Sequence, residues 1–311
     1  MRDATVRQLR ILAAVARHRS FTRAADELRL TQPAVSMQVQ ALEKLAGLAL
    51  FERIGRGVAL TGPGAELLGH AQTVLRALDD AEDALSALRG LAAGRIAIAV
   101  VSTAKYFAPR LLSLFRREHP EIELKLLVNN RDAVVQLVLD NDVDLALMGT
   151  PPRQLETTAF RFAKHPLVII AAPEHPLAGR ARVPVSALAE ETFLVREPGS
   201  GTRAAMERFF AAHRVVPAAT AEIASNETIK QAVMAGMGLG FLSQHAIGLE
   251  LSAGQLVLLR VEGLPVVRNW NLVHRAEKRL SPAARAFKRF VLREGRAFLA
   301  AWPGGGSFRR E

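Results

Sequence analysis

Within nine residues, Gln32, Ser36, Met37, Gln38 and Gln40 offer groups that read base edges, not groups that break bonds. A glutamine amide pairs bidentately with adenine, a serine hydroxyl reaches a base or a phosphate, and a methionine lies against a thymine methyl. Ala34, Val35, Val39 and Leu42 recur at helical spacing, so one helix turns that apolar stripe inward and the polar set outward. Thr31 suits its N-cap and Pro33 its first turn, where a missing N–H costs little. Arg53 and Arg56 follow in a presumed loop and suit phosphate contact. The competing reading is a polar helix face that touches only water.

A second chemistry lies further along. Ser102-Thr103, Gly199-Ser200-Gly201-Thr202 and Asn226 to Thr228 each stand where a strand or loop is expected to pass into a helix. Free N–H groups and the helix dipole favour an anion at such places. Lys105, Arg131, Arg196, Arg203 and Lys230 lie near those turns and could neutralise phosphates. Taken singly, each residue reads equally well as a helix cap or a solvated cation.

Other patterns lead nowhere. Ser102 and Lys105 have the S-x-x-K spacing of penicillin-recognising serine enzymes, but no lysine in the chain precedes Thr-Gly. Gly236, Gly238 and Gly240 follow a helix and precede a strand, the reverse of a dinucleotide fingerprint, and read as a helix stop. The eight histidines never pair at metal-ligand spacing, and His165 and His175, each before a proline, are expected in loops. With no acid/base constellation, no metal site and no cofactor fingerprint, the expectation is a protein that is not an enzyme.

The elements that must position these residues change character twice. Up to residue 58 the pattern is short helices: one ending at 18–20, one over 21–28 capped by Ser20, and the one starting near Pro33. Two helices joined by a short turn form the DNA-binding helix-turn-helix arrangement. From 61 to 90 the apolar positions Leu67, Ala71, Val74, Leu78, Ala81, Leu85 and Leu88 step by fours and threes. Three heptads of that spacing predict a two-stranded coiled coil and so a dimer, against the alternative of a helix packed on its own domain. Asp79, Asp80, Glu82 and Asp83 make this stretch acidic, and Gly90 and Gly94 look like a linker. From Arg95 onward strands alternate with helices, and a helix over 282–302 closes the chain. This predicts an α/β domain of two lobes with a ligand crevice between them, the crossovers lying near 163–166 and 264–269. Residues 304–311 read as a frayed tail.

Composition agrees. The 311 residues suit two or three domains at about 100–200 each. There is no cysteine, which removes disulfides and thiolate chemistry and suits a reducing, cytoplasmic compartment. No stretch holds about eighteen uncharged apolar residues, so no membrane partner is expected. The net charge of +11 suggests an anionic partner. Residues 1–58 hold ten Lys/Arg against five Asp/Glu, the middle is slightly acidic, and residues 268–311 hold eleven against three. On the closing helix Arg285, Arg289, Arg293 and Arg296 follow one face, which reads first as a solvated surface and second as a contact for DNA or an acidic neighbour.

The run LTQPAVSMQVQALEKLAGLALFERIGRGVALTGPG resembles the N-terminal signature of LysR-type transcriptional regulators. The matching positions are Phe21, Ala24, Ala25, Leu28, Thr31, Gln32, Pro33, Ala34, Val35, Ser36, Gln38, Leu42, Glu43, Gly47, Leu50, Phe51, Arg53, Leu60, Thr61 and Gly64. Ala46, Pro63 and Met37 depart from it, the last at a position often basic. The later segments STAKYFAPRLL, DLALMGTPP, ETFLVREPGSGTR and SNETIKQAVMAGMGLGFLS are similar to the branch that activates Calvin-cycle (RuBisCO) operons.

The resemblance implies a winged helix-turn-helix over 1–60, a long linker helix over 61–90, and a two-lobed periplasmic-binding-protein-like (type 2) effector domain over 91–303. Lobe I would hold 91–163 and 268–303, and lobe II 164–267. Asn129 and Gly149 join the candidate effector set. The implied effector is a small anionic metabolite such as ribulose bisphosphate, phosphoenolpyruvate or another phosphorylated sugar, or NADPH. The implied partners are double-stranded operator DNA, further copies of the chain as a dimer or homotetramer, and RNA polymerase. Alternatives are a LysR-type regulator of another pathway and an effector-independent architectural DNA protein.

Overall fold

A computed structural model describes residues 3–55, 57–88, 94–152 and 156–303. Arg56, residues 89–93 of the expected linker, the tail 304–311 and the side chain of Leu88 lie outside the described residues. The chain divides into two compact units, the first reaching Arg89 and including residues 140–142, the second holding the rest.

In the first unit, α1 (Val6–His18), α2 (Phe21–Leu28) and α3 (Gln32–Ala46) precede a hairpin of β1 (Phe51–Ile54) and β2 (Gly57–Leu60), and α4 (Gly62–Leu88) follows. Local chemistry sets the joints. Thr5 and Gln8 form a reciprocal capping box on α1, while the side chains of Ser20 and Thr31 accept from the N–H groups of Arg23 and Ala34. Ala24, Ala25, Val35 and Val39 close one small core with Ile11 and Val15. Arg53 therefore lies on an exposed strand of the hairpin, not in a loop, because the Phe51 and Leu60 ends of the hairpin pack inward.

The long helix divides along its length. Leu67 and Ala71 pack with Leu9, Leu12 and Leu42 in the unit's own core, so this part of the expected seam serves the fold of one chain. Val74, Leu78, Ala81 and Leu85 are exposed.

The second unit is built on a nine-stranded sheet among the described residues. One end carries β3 (Arg95–Val101), β4 (Glu123–Asn129) and β5 (Leu145–Met148), with α5 (Ala108–Glu118) and α6 (Arg131–Leu139). Two long strands, β6 (Thr157–Ala171) and β11 (Val266–Arg275), run antiparallel side by side through the joint. At the other end β7 (Thr192–Val195), β8 (Ala219–Glu222) and β9 (Leu239–Ser243) stack with α7 (Gly201–His213) and α8 (Asn226–Met234). A short α9 (Gly248–Ser252) precedes β10 (Val257–Leu258), and α10 (Pro282–Ala300) closes the unit against α5. Phe107, Phe115, Trp270, Phe287 and Phe290 fill the first lobe, and separate clusters line the two faces of the second.

Two expectations change here. The stretch QLVLLRV over 255–261 reads in the sequence as one strand but holds only the two-residue β10, since Val261 N–H turns back on Leu259 O after Leu259 N–H has bonded Ile169 O. His165 sits inside β6, buried at 1% exposure, because its ring stacks on Trp270 and its backbone belongs to the β6–β11 ladder.

The start of α4 is held by Thr61, whose hydroxyl donates to Ala49 O and accepts from Gly64 N–H. A Cβ on Gly64 would stand 1.9 Å from Leu50 O, a backbone atom with no freedom to swing away. Gly64→Ala is therefore expected to destabilise the first unit by roughly 1–3 kcal/mol, the range for overpacking. A thermal midpoint equal to wild type would contradict the close approach.

Candidate functional sites

On α3 the structure leaves Gln32, Pro33, Met37 and Gln40 exposed and Ser36 and Gln38 half-buried, while Val35, Val39 and Leu42 are buried. Met37 is 67% exposed, which leaves its thioether open on the same helix as the polar candidates. Gln32 Nε2 donates to Ser36 Oγ at 2.8 Å, so two candidate readers are already aligned along one edge. Thr31 caps the helix, and Arg53 is exposed on the hairpin beside it in sequence.

In the second unit Arg196 is the meeting point. Its guanidinium, 3% exposed, donates from Nε and Nη2 to the Glu197 carboxylate at 2.7 and 2.8 Å. Both Nη atoms donate to Ser102 Oγ at 3.2 Å, and Nη1 also donates to Asn226 Oδ1. Ser102 follows β3 in one lobe, whereas Arg196 and Asn226 belong to the other. The contact thus joins three of the expected positions across the crevice. Thr103 and Thr202 are buried nearby in sequence, and Asn129 O accepts from Ser102 N–H.

Beside it opens a cleft of about 740 Å³ lined by Arg131, Asp132, Thr150 and Pro151 on one side. Pro198 to Gly201, Arg203, Ala204, Glu207 and Arg208 line the other side. Ser200 caps α7 by accepting from the N–H groups of Thr202 and Arg203. Asp132 N–H donates to Gly199 O at 3.3 Å, a second link between the lobes. Gly149 O accepts from Asn271 Nδ2 at 3.0 Å.

Some expected positions do not belong to this arrangement. Ser102 does not open a helix, because turns occupy 102–107 and α5 begins at Ala108. The cap of α8 is Ser225, which leaves Thr228 exposed and Asn226 turned to Arg196. Lys105 faces the Tyr106 ring at 5.2 Å, and Lys230 is held by Glu250 and Glu227 at 2.7 and 3.0 Å. The sequence reading missed Glu197, Asp132, Arg208 and Arg268. Glu197 and Asp132 stand directly beside the arginines they pair with, and that adjacency was the available signal. On α10, Arg293 is paired with Glu118 and Glu294 and Arg285 donates to Leu280 O, so half of the basic face is engaged within the unit.

Residues 6–65 match the bacterial regulatory helix-turn-helix protein of the lysR family, and residues 89–296 match the LysR substrate binding domain. The chain belongs to the LysR family of transcriptional regulators. It is 48% identical over 305 residues to the HTH-type transcriptional regulator CfxR of Cupriavidus necator, covering 98% of this chain and 96% of that one. It is 51% identical over 290 residues to the RuBisCO operon transcriptional regulator of Allochromatium vinosum, covering 93% and 96%. The CcmR regulatory domain of Synechocystis PCC6803, solved in complex with 2-PG, superposes with a TM-score of 0.63. Its identity is 39%, over 64% of this chain and 96% of that domain. Among the described residues of this LysR-family regulator, no group of three His, Asp or Glu side chains is placed to hold a metal ion, and no helix is long and apolar enough to cross a membrane.

The joint behind the cleft carries two buried histidines. Neither ring nitrogen of His165 has a hydrogen-bond partner, and burial, then the positive Arg268 and the charge His245 would carry on protonation, hold its pKa well below the ordinary 6.5. Burial brings His245 down to about 4. Both are neutral when folded and titrate near 6.5 when unfolded, so their stabilisation is complete above that pH and fades as the pH falls toward 4. Each histidine contributes a slope of up to about 1.4 kcal/mol per pH unit in that window. The thermal midpoint of the second unit is expected to drop between pH 6.5 and 4.5, and His165→Phe, which keeps a ring on Trp270, to flatten the drop. An unchanged slope in that variant would contradict the assignment.

Proposed function

We propose that this chain is a transcriptional activator of a carbon-fixation (RuBisCO) operon, and that a small anionic metabolite bound between its two lobes adjusts how it holds operator DNA. The observation that carries the reading is the cleft itself. It is lined by guanidinia and by the start of α7, in a chain about half identical over nearly its whole length to a regulator of that operon. The likeness to a domain solved with 2-PG supports a phosphorylated acid or sugar as effector, ribulose bisphosphate, phosphoenolpyruvate and NADPH being further candidates.

Operator contacts fall to Thr31, Gln32, Pro33, Ser36, Met37, Gln38 and Gln40 on α3 and to Arg53 on the hairpin. Glutamine and serine supply base reading and arginine supplies phosphate contact. The exposed Val74, Leu78, Ala81 and Leu85 are the surface on which a second copy would pair, giving a dimer or a dimer of dimers. The protein would act in the cytoplasm, meet RNA polymerase at the promoter, and turn over nothing. An effector alters this balance only by binding one arrangement of the assembly better than another.

Footprinting on the DNA upstream of the chain's own gene tests the reading. Two inverted half-sites about one or two helical turns apart are expected, with a protection pattern that changes on adding 2-PG or ribulose bisphosphate. A short site without dyad symmetry, or a footprint indifferent to every anionic metabolite, would count against it.

A further inference from the structure

Arg196 is the guanidinium that the turn spacing singles out for an anion, yet its capacity is already spent. Glu197 neutralises it, and Ser102 and Asn226 take its remaining donors. An effector's negative charge could use it only by displacing the half-buried Glu197 carboxylate, which leaves that charge uncompensated.

On the far side of Gly199 to Gly201 the balance is reversed. Arg131 and Arg208 line the cleft. Arg268, on β11 in the joint, donates from Nη1 to Gly201 O at 2.9 Å, while its buried Nε has no partner. A Cβ on Gly201 would lie 3.3 Å from Arg131 Cδ, so these side chains converge behind one short loop. Carboxylates are too few to match them. Asp132 is taken by Arg131 at 2.9 Å and Glu207 by Arg203 at 2.9 Å, and Arg208 and Arg268 have no carboxylate among the described residues. The mutual repulsion registers at Arg268, whose pKa is brought down to about 10 by burial first and then by the positive Arg208 and Arg131.

We propose that Arg131, Arg208 and Arg268 form a subsite for a compact, doubly charged oxyanion, a phosphoryl group, seated at the start of α7 and not against Arg196. This rests on the reading that the cleft holds the effector, and it says which end of the effector goes where. Two unmatched guanidinia call for two negative charges. A tetrahedral oxyanion offers several acceptors at once for charge-assisted hydrogen bonds, and the positive end of a 13-residue helix, whose first N–H groups Ser200 caps, adds its dipole. Arg268 touches Gly201 of one lobe and stands 3.3 Å from the position of a Cβ on Gly149 of the other. An anion there relieves repulsion at a residue both lobes contact, so occupancy and the spacing of the lobes are coupled through one side chain.

Isothermal titration of the full chain with inorganic phosphate, in a phosphate-free low-salt buffer, tests this. Phosphate should bind, sulfate should compete with it, and acetate should not. Arg208→Gln, a change at an exposed side chain that leaves the core intact, should weaken phosphate by about tenfold or more. Arg268→Gln should do at least as much, and Arg289→Gln on α10 should leave binding as in wild type. Absence of phosphate binding by the wild-type chain, or wild-type affinity in Arg208→Gln, would overturn the subsite. In either case an operator footprint that still responds to 2-PG would leave the proposed function standing. A footprint indifferent to every anion would remove that function whatever phosphate does.

Discussion

Burying the Arg196 guanidinium obliges the two lobes to meet at one point. A charge that is 3% exposed is tolerated only when paired and fully hydrogen-bonded, and one loop cannot supply every acceptor. Glu197 provides the opposite charge from the same turn, Asn226 an amide oxygen from the start of α8, and Ser102 a hydroxyl from the other lobe. That last bond crosses the crevice, so the network fixes where the lobes approach and, by consequence, where a cleft is left open. The paired strands β6 and β11 carry both lobes on one ladder, which passes His165 and Arg268. The crevice thus sets a fully hydrogen-bonded guanidinium beside a positively charged cleft, and the cleft is where an anion has something to gain.

The charge of the chain takes on a different meaning in this light. Its surplus looks like a nucleic-acid signal, but the helix placed to read bases presents glutamines, a serine and a 67%-exposed methionine. Sequence would be read there by neutral hydrogen bonds and apolar contact, with arginine on the hairpin for the backbone. Much of the larger surplus beyond residue 267 is put to internal use. Arg293 bridges to α5, Lys288 lies over the Phe160 ring, Lys278 pairs with Asp144, and Arg268 underlies the cleft.

Helix ends were legible because capping is local: Ser20, Thr31 and Ser200 announce α2, α3 and α7 within a few residues. Features that depend on distant partners were not. His165 beside a proline reads as a loop residue until Trp270, a hundred residues on, supplies the ring it stacks upon. The heptad of α4 looks uniform, yet only the packing of α1 and α3 separates Leu67 and Ala71, which serve the core, from Val74 and Leu78, which face solvent. Arg131 and the Gly199 loop in the cleft, and Ser102 and Arg196 beside it, were marked by turn chemistry. Arg208 and Arg268 were hidden because one sits in mid-helix and the other in mid-strand, and their significance lies in the carboxylates they lack.

Amide hydrogen exchange on the full chain, with and without 2-PG, tests the central claim most directly. If an anion seats at the start of α7 and acts through the joint, protection should rise at residues 199–204, at the start of α6 and along β6 and β11 around 164–168 and 266–270. Protection confined to other surfaces, or none at saturating 2-PG, would contradict the account.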